Sequence, residues 1–481
     1  MRFLSKAETE KIHIATVNVL ENVGVRAKSE LILDIFAKGG AYVKDTTVKI
    51  PQHLLDDCVK RAPKKVSLHG RNPEYDMLLE DGRAYFGMGG TPTPLIRDLK
   101  TGEFRRPTKK DFVEATKLGD ALPSMSFVMG LAGAFDVPYE VEYEHEWEVL
   151  FNYTEKPIVY PAPSAYIARN ALEMGSAVVG GMAELRKRPI MCLYSEAASP
   201  LTIVKGNENI VEFARAGIPI VLGQVPLLGA SGPGTIPGSL VISNAENLAL
   251  ITLSQLAGAG SPIIYGVDVD LIDPLTGRDA YGAPESVLST SALNAQMAEY
   301  YGLPTFGVAG ASDSKVPDAQ AGAEAMMQSL MNALAGINLI HDCGYLAGGS
   351  AGSMEMAVIC DEIIGNVQRI LRRTEVNDDT LAVEIIKEVG PEGNFLGHKH
   401  TLKHIRNEVY LPRLFDRTSE TVWMKTRKTA HELAREKAQR ILKEHYPKPL
   451  ANDVQVKLSE IVKTAEKEQT KIPERRSATN T

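Results

Sequence analysis

Short apolar runs recur along the chain, with amphipathic stretches between them. The runs are AYFGM (84–88), FVMGLAG (127–133), IVYPAP (158–163), IMCLY (190–194), IPIVLGQ (218–224), PIIYGVD (262–268), TFGVAGA (305–311) and NLIHD (338–342). Stretches long enough for a helix each lie at 165–184, 202–216, 239–258, 285–302, 318–335 and 353–372. A run that is apolar throughout, rather than alternating, belongs to a strand buried on both faces, as in a parallel sheet covered by helices. Eight such strands predict an α/β protein with a TIM (β/α)8 barrel rather than an open sheet. Before the barrel, Ser5 and Glu8 have capping-box spacing, and Ile12, Thr16, Val19, Leu20 and Val23 form a helical stripe. Residues 1–75 therefore read as an N-terminal helical extension and 76–395 as the (β/α)8 catalytic domain. Residues 396–471 read as a charged C-terminal helical region, and 472–481 as a polar tail expected to be disordered.

Composition narrows the class. Lys+Arg number 53 against 60 Asp+Glu, a net charge of −7, which is the wrong sign for the basic stripe of a nucleic-acid binder. Cys58, Cys192, Cys343 and Cys360 stand far apart. That spacing excludes a disulfide scaffold and a cysteine zinc cluster, and it suits a reducing cytosol. The opening 30 residues carry charges throughout, so no signal-peptide core is expected. No run approaches the roughly 20 apolar residues of a membrane helix. A soluble cytoplasmic protein is the expectation.

In a barrel, reacting groups sit at the carboxyl ends of the strands. No P-loop, HExxH, nucleophile elbow or strand-to-helix GxGxxG occurs. The glycine-rich GASGPGTIPGS (229–239) reads as a loop and helix cap before it reads as an anion cradle. His400 and His404 have the i, i+4 spacing of two ligands on one helix face. With His398 they lack an obvious third partner, so packing or subunit contact is preferred and no metal is assigned. His341 ends an apolar strand, placed either to support or to contact a substrate. Glu196, Asp268 and Asp313 fall at strand ends, where each is a candidate site group or a helix N-cap; Asp318 is read as a cap. Tyr85, Phe86, Tyr160, Tyr194, Tyr265 and Tyr345 lie at the same ends, and aromatic faces beside carboxylates suit an organic cation.

The segments GASDSKVPDAQAGAEAMMQSLMNALAGINLIHDCGYLAGGSAGSMEMAVICDEIIG (310–365) and GNFLGHKHTLKHIRNEVYLPRLFDR (393–417) resemble the trimethylamine methyltransferase (MttB) family. NVLENVGVRAKSELIL and GMGGTPTPLIRDLKTGEFRRPT (87–108) fit the same resemblance, which runs from about Ser5 to Trp423. It implies a TIM-barrel methyltransferase with no tightly bound cofactor, working on a corrinoid carried by a cognate partner protein. Trimethylamine enzymes of the family carry pyrrolysine, and this chain has only standard residues; the loop around 311–320 is where the exchanged position is placed. The resemblance then points to the non-pyrrolysine branch, whose members demethylate quaternary amines, with glycine betaine the leading substrate. On that reading His341, Asp313 and Glu196 are the catalytic candidates. Tyr85, Phe86, Tyr194, Gln224, Asp268, Lys315 and Tyr345 would bind substrate, the aromatics and acids around the ammonium and Gln224, Lys315 or His341 on a carboxylate. The alternatives are another barrel enzyme, a metal-dependent hydrolase or lyase using His398, His400 and His404, or a quaternary-amine-binding protein without turnover. Homo-oligomerisation is expected; 421–446 reads as a solvated helix closing the domain before it reads as the interface.

Overall fold

The computed structural model describes residues 2–80 and 82–469; the expected polar tail at 472–481 lies outside the described residues. Eight parallel strands form the central sheet. They are β1 (Tyr85–Met88), β2 (Met125–Val128), β3 (Ile158–Pro161), β4 (Met191–Ser195), β5 (Ile220–Gln224), β6 (Ile263–Val267), β7 (Phe306–Val308) and β8 (Leu339–Cys343). Neighbours in the sheet run β6-β5-β4-β3-β2-β1-β8-β7. A parallel bridge between Tyr265 and Thr305 joins the two ends, so the sheet closes. Each of the eight apolar runs in the sequence contributes one strand.

A helix or helical pair follows every strand, beginning at Lys109, Glu142, Ala165, Glu208, Ile236, Pro284, Ala319 and Met354. Buried asparagines on four of these helices clamp the strands. Asn209 donates to Ala162 O (2.9 Å), Asn247 to Leu222 O and Gly266 O (2.7 and 2.8 Å), Asn294 to Phe306 O (2.7 Å) and Asn332 to Val308 O (2.8 Å). A buried amide is tolerated only when hydrogen-bonded, so each fixes the height of a strand against its helix. Helix Ile236–Ala257 is long and apolar enough to cross a membrane by length and composition, which the sequence reading had not picked out. In the fold, 72% of its most apolar window is buried, and Asn244 on it bonds Thr16 of the N-terminal helix (2.9 Å).

The N-terminal residues hold more than helices. Between Lys6–Asn22, Glu30–Lys38 and Gln52–Arg61 lie the strands Val25–Ala27, Tyr42–Lys44 and Thr47–Lys49. Val25–Ala27 pairs in parallel with Thr202–Ile203 of the loop after β4. The hairpin Val66–Leu68 with Met77–Leu79 plugs the amino-terminal end of the barrel. Val66, Leu68, Met77 and Leu79 pack there against the inward-facing Phe127, Val159, Ile264 and Leu339, each burial contributing about 1.5–3 kcal/mol. One end of the barrel is thereby sealed with hydrocarbon, and polar chemistry is confined to the other.

After the last barrel helix, Met354–Leu371, the segment 372–424 leaves the body with Leu414 as its one buried hydrophobic residue among those described. The chain then returns. Helix Ala430–Glu444 buries Ala434 and Ala438, and helix Asn452–Gln469 buries Leu458, Ile461, Val462 and Ala465.

Candidate active site

The carboxyl ends of β4 to β8 bring most of the predicted residues together. On β4, Tyr194 points into the barrel and donates from its hydroxyl to Glu196 Oε2 (3.0 Å). Its ring meets Phe306 (centroids 5.6 Å) and His341 (6.2 Å), and His341 stacks on Phe306 at 4.1 Å with planes 20° apart. His341 Nδ1 lies 2.7 Å from Asp342 Oδ1 but without the alignment of a hydrogen bond, so that nitrogen is buried without a partner. Asp342 itself takes φ +74°, a left-handed conformation uncommon outside glycine. Its amide donates to Gly89 O (2.7 Å), which holds the turn. Gly90 passes directly beneath: a Cβ there would lie 2.1 Å from Asp342 Oδ1 and 3.1 Å from the Tyr345 hydroxyl.

Asp268 and Asp270 follow β6. Helix Pro284–Leu288 and the turn of π-helix that continues it, Ser289–Leu293, supply the serines that hold the backbone between and beyond them. Ser289 accepts from Val269 N (2.7 Å) and donates to Val269 O (2.9 Å), while Ser286 accepts from Leu271 N (2.9 Å). The two carboxyls are buried, and Oδ1 of each has no hydrogen-bond partner. Burial pushes the Asp268 carboxyl well above its usual range, and the charges of Asp270 and Asp342 push it further. Burial likewise raises Asp270 to about 7, helped by Asp279, Asp342 and Asp313. Glu196 is also raised by burial, against the Tyr194 hydrogen bond and the His341 charge that lower it. Among the described residues no lysine or arginine forms an ion pair with Glu196, Asp268, Asp270 or Asp342, although buried carboxylates ordinarily have one. The mouth is an acidic well with His341 as its basic neighbour.

Other predicted groups take different parts. Gln224 is fully buried; its Oε1 accepts from Ala197 N (2.8 Å), and its Nε2 is left without a partner. The backbone N–H of Asp268 donates to Gln224 O (2.8 Å), so the two residues stand at neighbouring strand ends. Asp313 uses its two carboxylate oxygens on the amides of Tyr281 and Gly282 (3.0 Å each), which folds that loop over the mouth. Lys315 is exposed and donates to Asp313 O (2.7 Å). The Tyr345 hydroxyl contacts Thr91 O and Gly130 O. Asp318 caps the helix it precedes, accepting from Ala321 N (3.0 Å).

Four of the predicted aromatics are not at the mouth, Tyr265 among them: it faces the helices, and its hydroxyl donates to Asn244 Oδ1 (2.7 Å). Tyr85 begins β1 rather than ending it, and its hydroxyl exchanges hydrogen bonds with Leu78 of the bottom hairpin (3.3 Å). Phe86 has the opposite orientation, buried in the layer between strands and helices. Period-two alternation makes Gly87 the next inward position, and the Phe127 ring fills the space a side chain would take there. Tyr160 also faces the helices, packed on Trp147 and Phe112.

Sequence reasoning missed several groups. Tyr143, Glu142 and Glu146 come from the helix after β2; the Tyr160 hydroxyl donates to Glu146 Oε2 (2.9 Å), and the Ala134 amide donates to Glu146 Oε1 (2.9 Å). Burial raises Glu142 to about 7, against the Arg106 charge and the Glu146 hydrogen bond that lower it; burial also pushes Glu146 well above its usual range, and the Glu142 charge pushes it further. EYEHE (142–146), with both end glutamates one turn apart, was the available signal. Tyr281 and Asp342 also reach the mouth: Asp342 acts on the charge state of Tyr281, Tyr345 and Asp268. Nothing in GRDAYGAP marked Tyr281.

Known proteins resemble this chain over almost its full length. Residues 1–470 match the family model described as trimethylamine methyltransferase (MTTB). A trimethylamine methyltransferase MttB of Desulfitobacterium hafniense is 36% identical over 468 residues, covering 96% of this chain and 94% of that protein. A glycine betaine methyltransferase of the same species is 31% identical over 471 residues, covering 97% of each. The trimethylamine methyltransferase MttB of Methanosarcina thermophila is 32% identical, covering 94% and 95%. The chain belongs to the trimethylamine methyltransferase (MTTB) family, and it is an enzyme that transfers methyl groups.

Proposed function

We propose that the barrel mouth holds a quaternary amine, glycine betaine first among them, and presents one N-methyl group to the Co(I) of a corrinoid carried by a separate protein. The observation that carries this reading is the pair of unpartnered groups at neighbouring strand ends: free carboxylate oxygens on Asp268 and Asp270, and a free amide donor on Gln224. A zwitterion with an ammonium head and a carboxylate tail supplies the complement of both. Tyr194, Phe306 and Tyr281 supply aromatic surface for N-methyl groups, which offer no hydrogen-bond donor and are recognised by charge and cation–π attraction.

The chemistry asks little acid–base work of the protein. A reduced corrinoid supplied by the partner would provide the electron pair that bonds the methyl group, while the C–N bonding pair stays on nitrogen and the amine leaves neutral with no proton transferred. What this chain does is orient one N–CH3 bond toward the open end and exclude water from it. Glu196, Asp268 and His341 act here as binding and positioning groups, and Asp313 acts through the loop it pins. The sealed bottom leaves one route for both substrate and partner, so the corrinoid protein docks over the carboxyl ends of the strands.

Trimethylamine is the second reading, favoured by the higher identity to the relative of that name. Calorimetric titration with glycine betaine, trimethylamine and 3,3-dimethylbutyrate, the uncharged-carbon analogue of betaine, separates the cases. Betaine binding with no binding of dimethylbutyrate supports the cation well; equal affinity for both refutes it. Tighter binding of trimethylamine than betaine moves the substrate to the second reading.

The segment 370–424 supports a homo-oligomer. Val376, Leu396, Leu402 and Leu411 are each more than 60% exposed along it, a concentration that monomers avoid. Four unpaired, buried cysteines agree with a reducing, cytoplasmic setting.

A further inference from the structure

Away from the barrel mouth, one cluster of metal-ligating side chains is assembled from two separate elements. Helix Lys399–Glu408 carries His400 and His404 one turn apart, and helix Asp378–Leu381 sets Asp379 against them. One ligand atom from each of the three lies within 4.8 Å of the others. His404 Nε2 stands 3.1 Å from Asp379 Oδ2, near the edge of about 3.3 Å that a tetrahedral ion with bonds of roughly 2.0–2.1 Å requires. The two imidazole rings face each other at 4.3 Å between centroids.

His404 Nε2 also carries the second observation. It is shielded from solvent and makes no aligned hydrogen bond, a costly state for a ring nitrogen. Lys403 Nζ holds the same Asp379 oxygen at 2.7 Å, but Lys403 is 64% exposed and can swing into water when a cation takes its place. At 100° per residue, His400 and His404 occupy one face of their helix, while the exposed Leu402 and Ile405 occupy the opposite one. An ion and an apolar partner can therefore use the helix at the same time.

We propose that Asp379, His400 and His404 form a binding site for a divalent transition-metal ion, Zn2+ first, with water completing a tetrahedral shell. Two imidazoles and one carboxylate suit a borderline ion; Ca2+ and Mg2+ require oxygen ligands. Arg413, on the same segment, reaches Ser124 just before β2, which puts that contact at the end of the barrel opposite the mouth. The ion staples helix Asp378–Leu381 to helix Lys399–Glu408 and takes no part in methyl transfer.

The test uses the full-length protein, stripped with a chelator and titrated with Zn2+ by calorimetry and with Co2+ by visible absorption. About one equivalent should bind with a Kd in the micromolar range, and Co2+ should give the intense bands of tetrahedral coordination. His400→Ala, His404→Ala and Asp379→Asn should each weaken binding at least about tenfold, a loss of roughly 1.4 kcal/mol or more. Circular dichroism checks that each variant is folded. His53→Ala, at an exposed histidine elsewhere, should change nothing. Binding unaltered in His404→Ala, or no stoichiometric uptake of either ion, overturns the site.

Discussion

Asp270→Asn should make the protein more stable at neutral pH and worse at holding a cation. Asp270 is 2% exposed, Oδ1 has no partner, and burial with three neighbouring carboxyls raises it from 3.8 to about 7. An unfolded chain ionises this carboxyl near 3.8 and the folded one near 7, so stability drains away as pH rises between those values. The full shift of about three units corresponds to roughly 4 kcal/mol above pH 7, of which about 2–3 kcal/mol develops between pH 5 and pH 8. Asparagine keeps the shape and has no proton to lose. For a chain of this length roughly 1 kcal/mol moves Tm by about 1 °C, so the variant's lead over the parent should widen by about 2–3 °C from pH 5 to pH 8 in scanning calorimetry. Deleting one carboxylate about 5 Å from a bound ammonium removes up to about 3 kcal/mol at an effective dielectric near 20. Betaine affinity at pH 8 should fall by as much as about two orders of magnitude. A Tm lead that stays flat or shrinks with pH, or an unchanged Kd, would refute the assignment of Asp270 as an ionisable wall of the well.

Other outcomes follow from single contacts. Tyr194→Phe leaves Glu196 Oε2 without its 3.0 Å donor; turnover should drop while stability falls by about 1–3 kcal/mol, read by methyl-transfer assay and urea unfolding. Gly90→Ala places a methyl group 2.1 Å from Asp342 Oδ1; the His341–Asp342 turn must shift, and kcat should fall more than Tm does. Because cation binding draws protons off Asp268, Asp270 and Glu196, whose carboxyls are raised, betaine affinity should increase from pH 5.5 to pH 8 and the binding should release protons in buffers of different ionisation heat. Replacing Leu396 and Leu411, 80% and 71% exposed, together by aspartate should lower the mass measured by light scattering without unfolding the barrel.

Much of the barrel is legible in the sequence for one physical reason. Strands covered on both faces must be apolar along most of their length, so IIYGV and IVLGQ stand out against their flanks, and each of the eight apolar runs marks one strand. Position on a strand then locates a residue at one rim, which is how Tyr194, Glu196, Asp268 and His341 were found. The same logic failed for Tyr85 because the run AYFGM starts at the bottom plug, and a run alone does not say which end faces the mouth. Three-residue strands such as Val25–Ala27 leave no periodicity to detect. Glu146, Tyr281 and Asp379 owe their places to tertiary contacts across loops: Asp379 meets His400 from 21 positions away, and no local pattern links them.

On the proposed function, this acidic, aromatic barrel mouth moves a methyl group from a quaternary amine to a corrinoid on another protein. The most direct test of this reading is an anaerobic assay that follows the cobalt absorption of a reduced corrinoid protein while the enzyme is offered glycine betaine, trimethylamine, carnitine, proline betaine and choline in turn. Rapid conversion of the Co(I) spectrum to that of methylated cobalt with glycine betaine, lost in Asp268→Asn, is the predicted result. Full activity with trimethylamine and none with any quaternary amine, or betaine turnover untouched by Asp268→Asn, would contradict it.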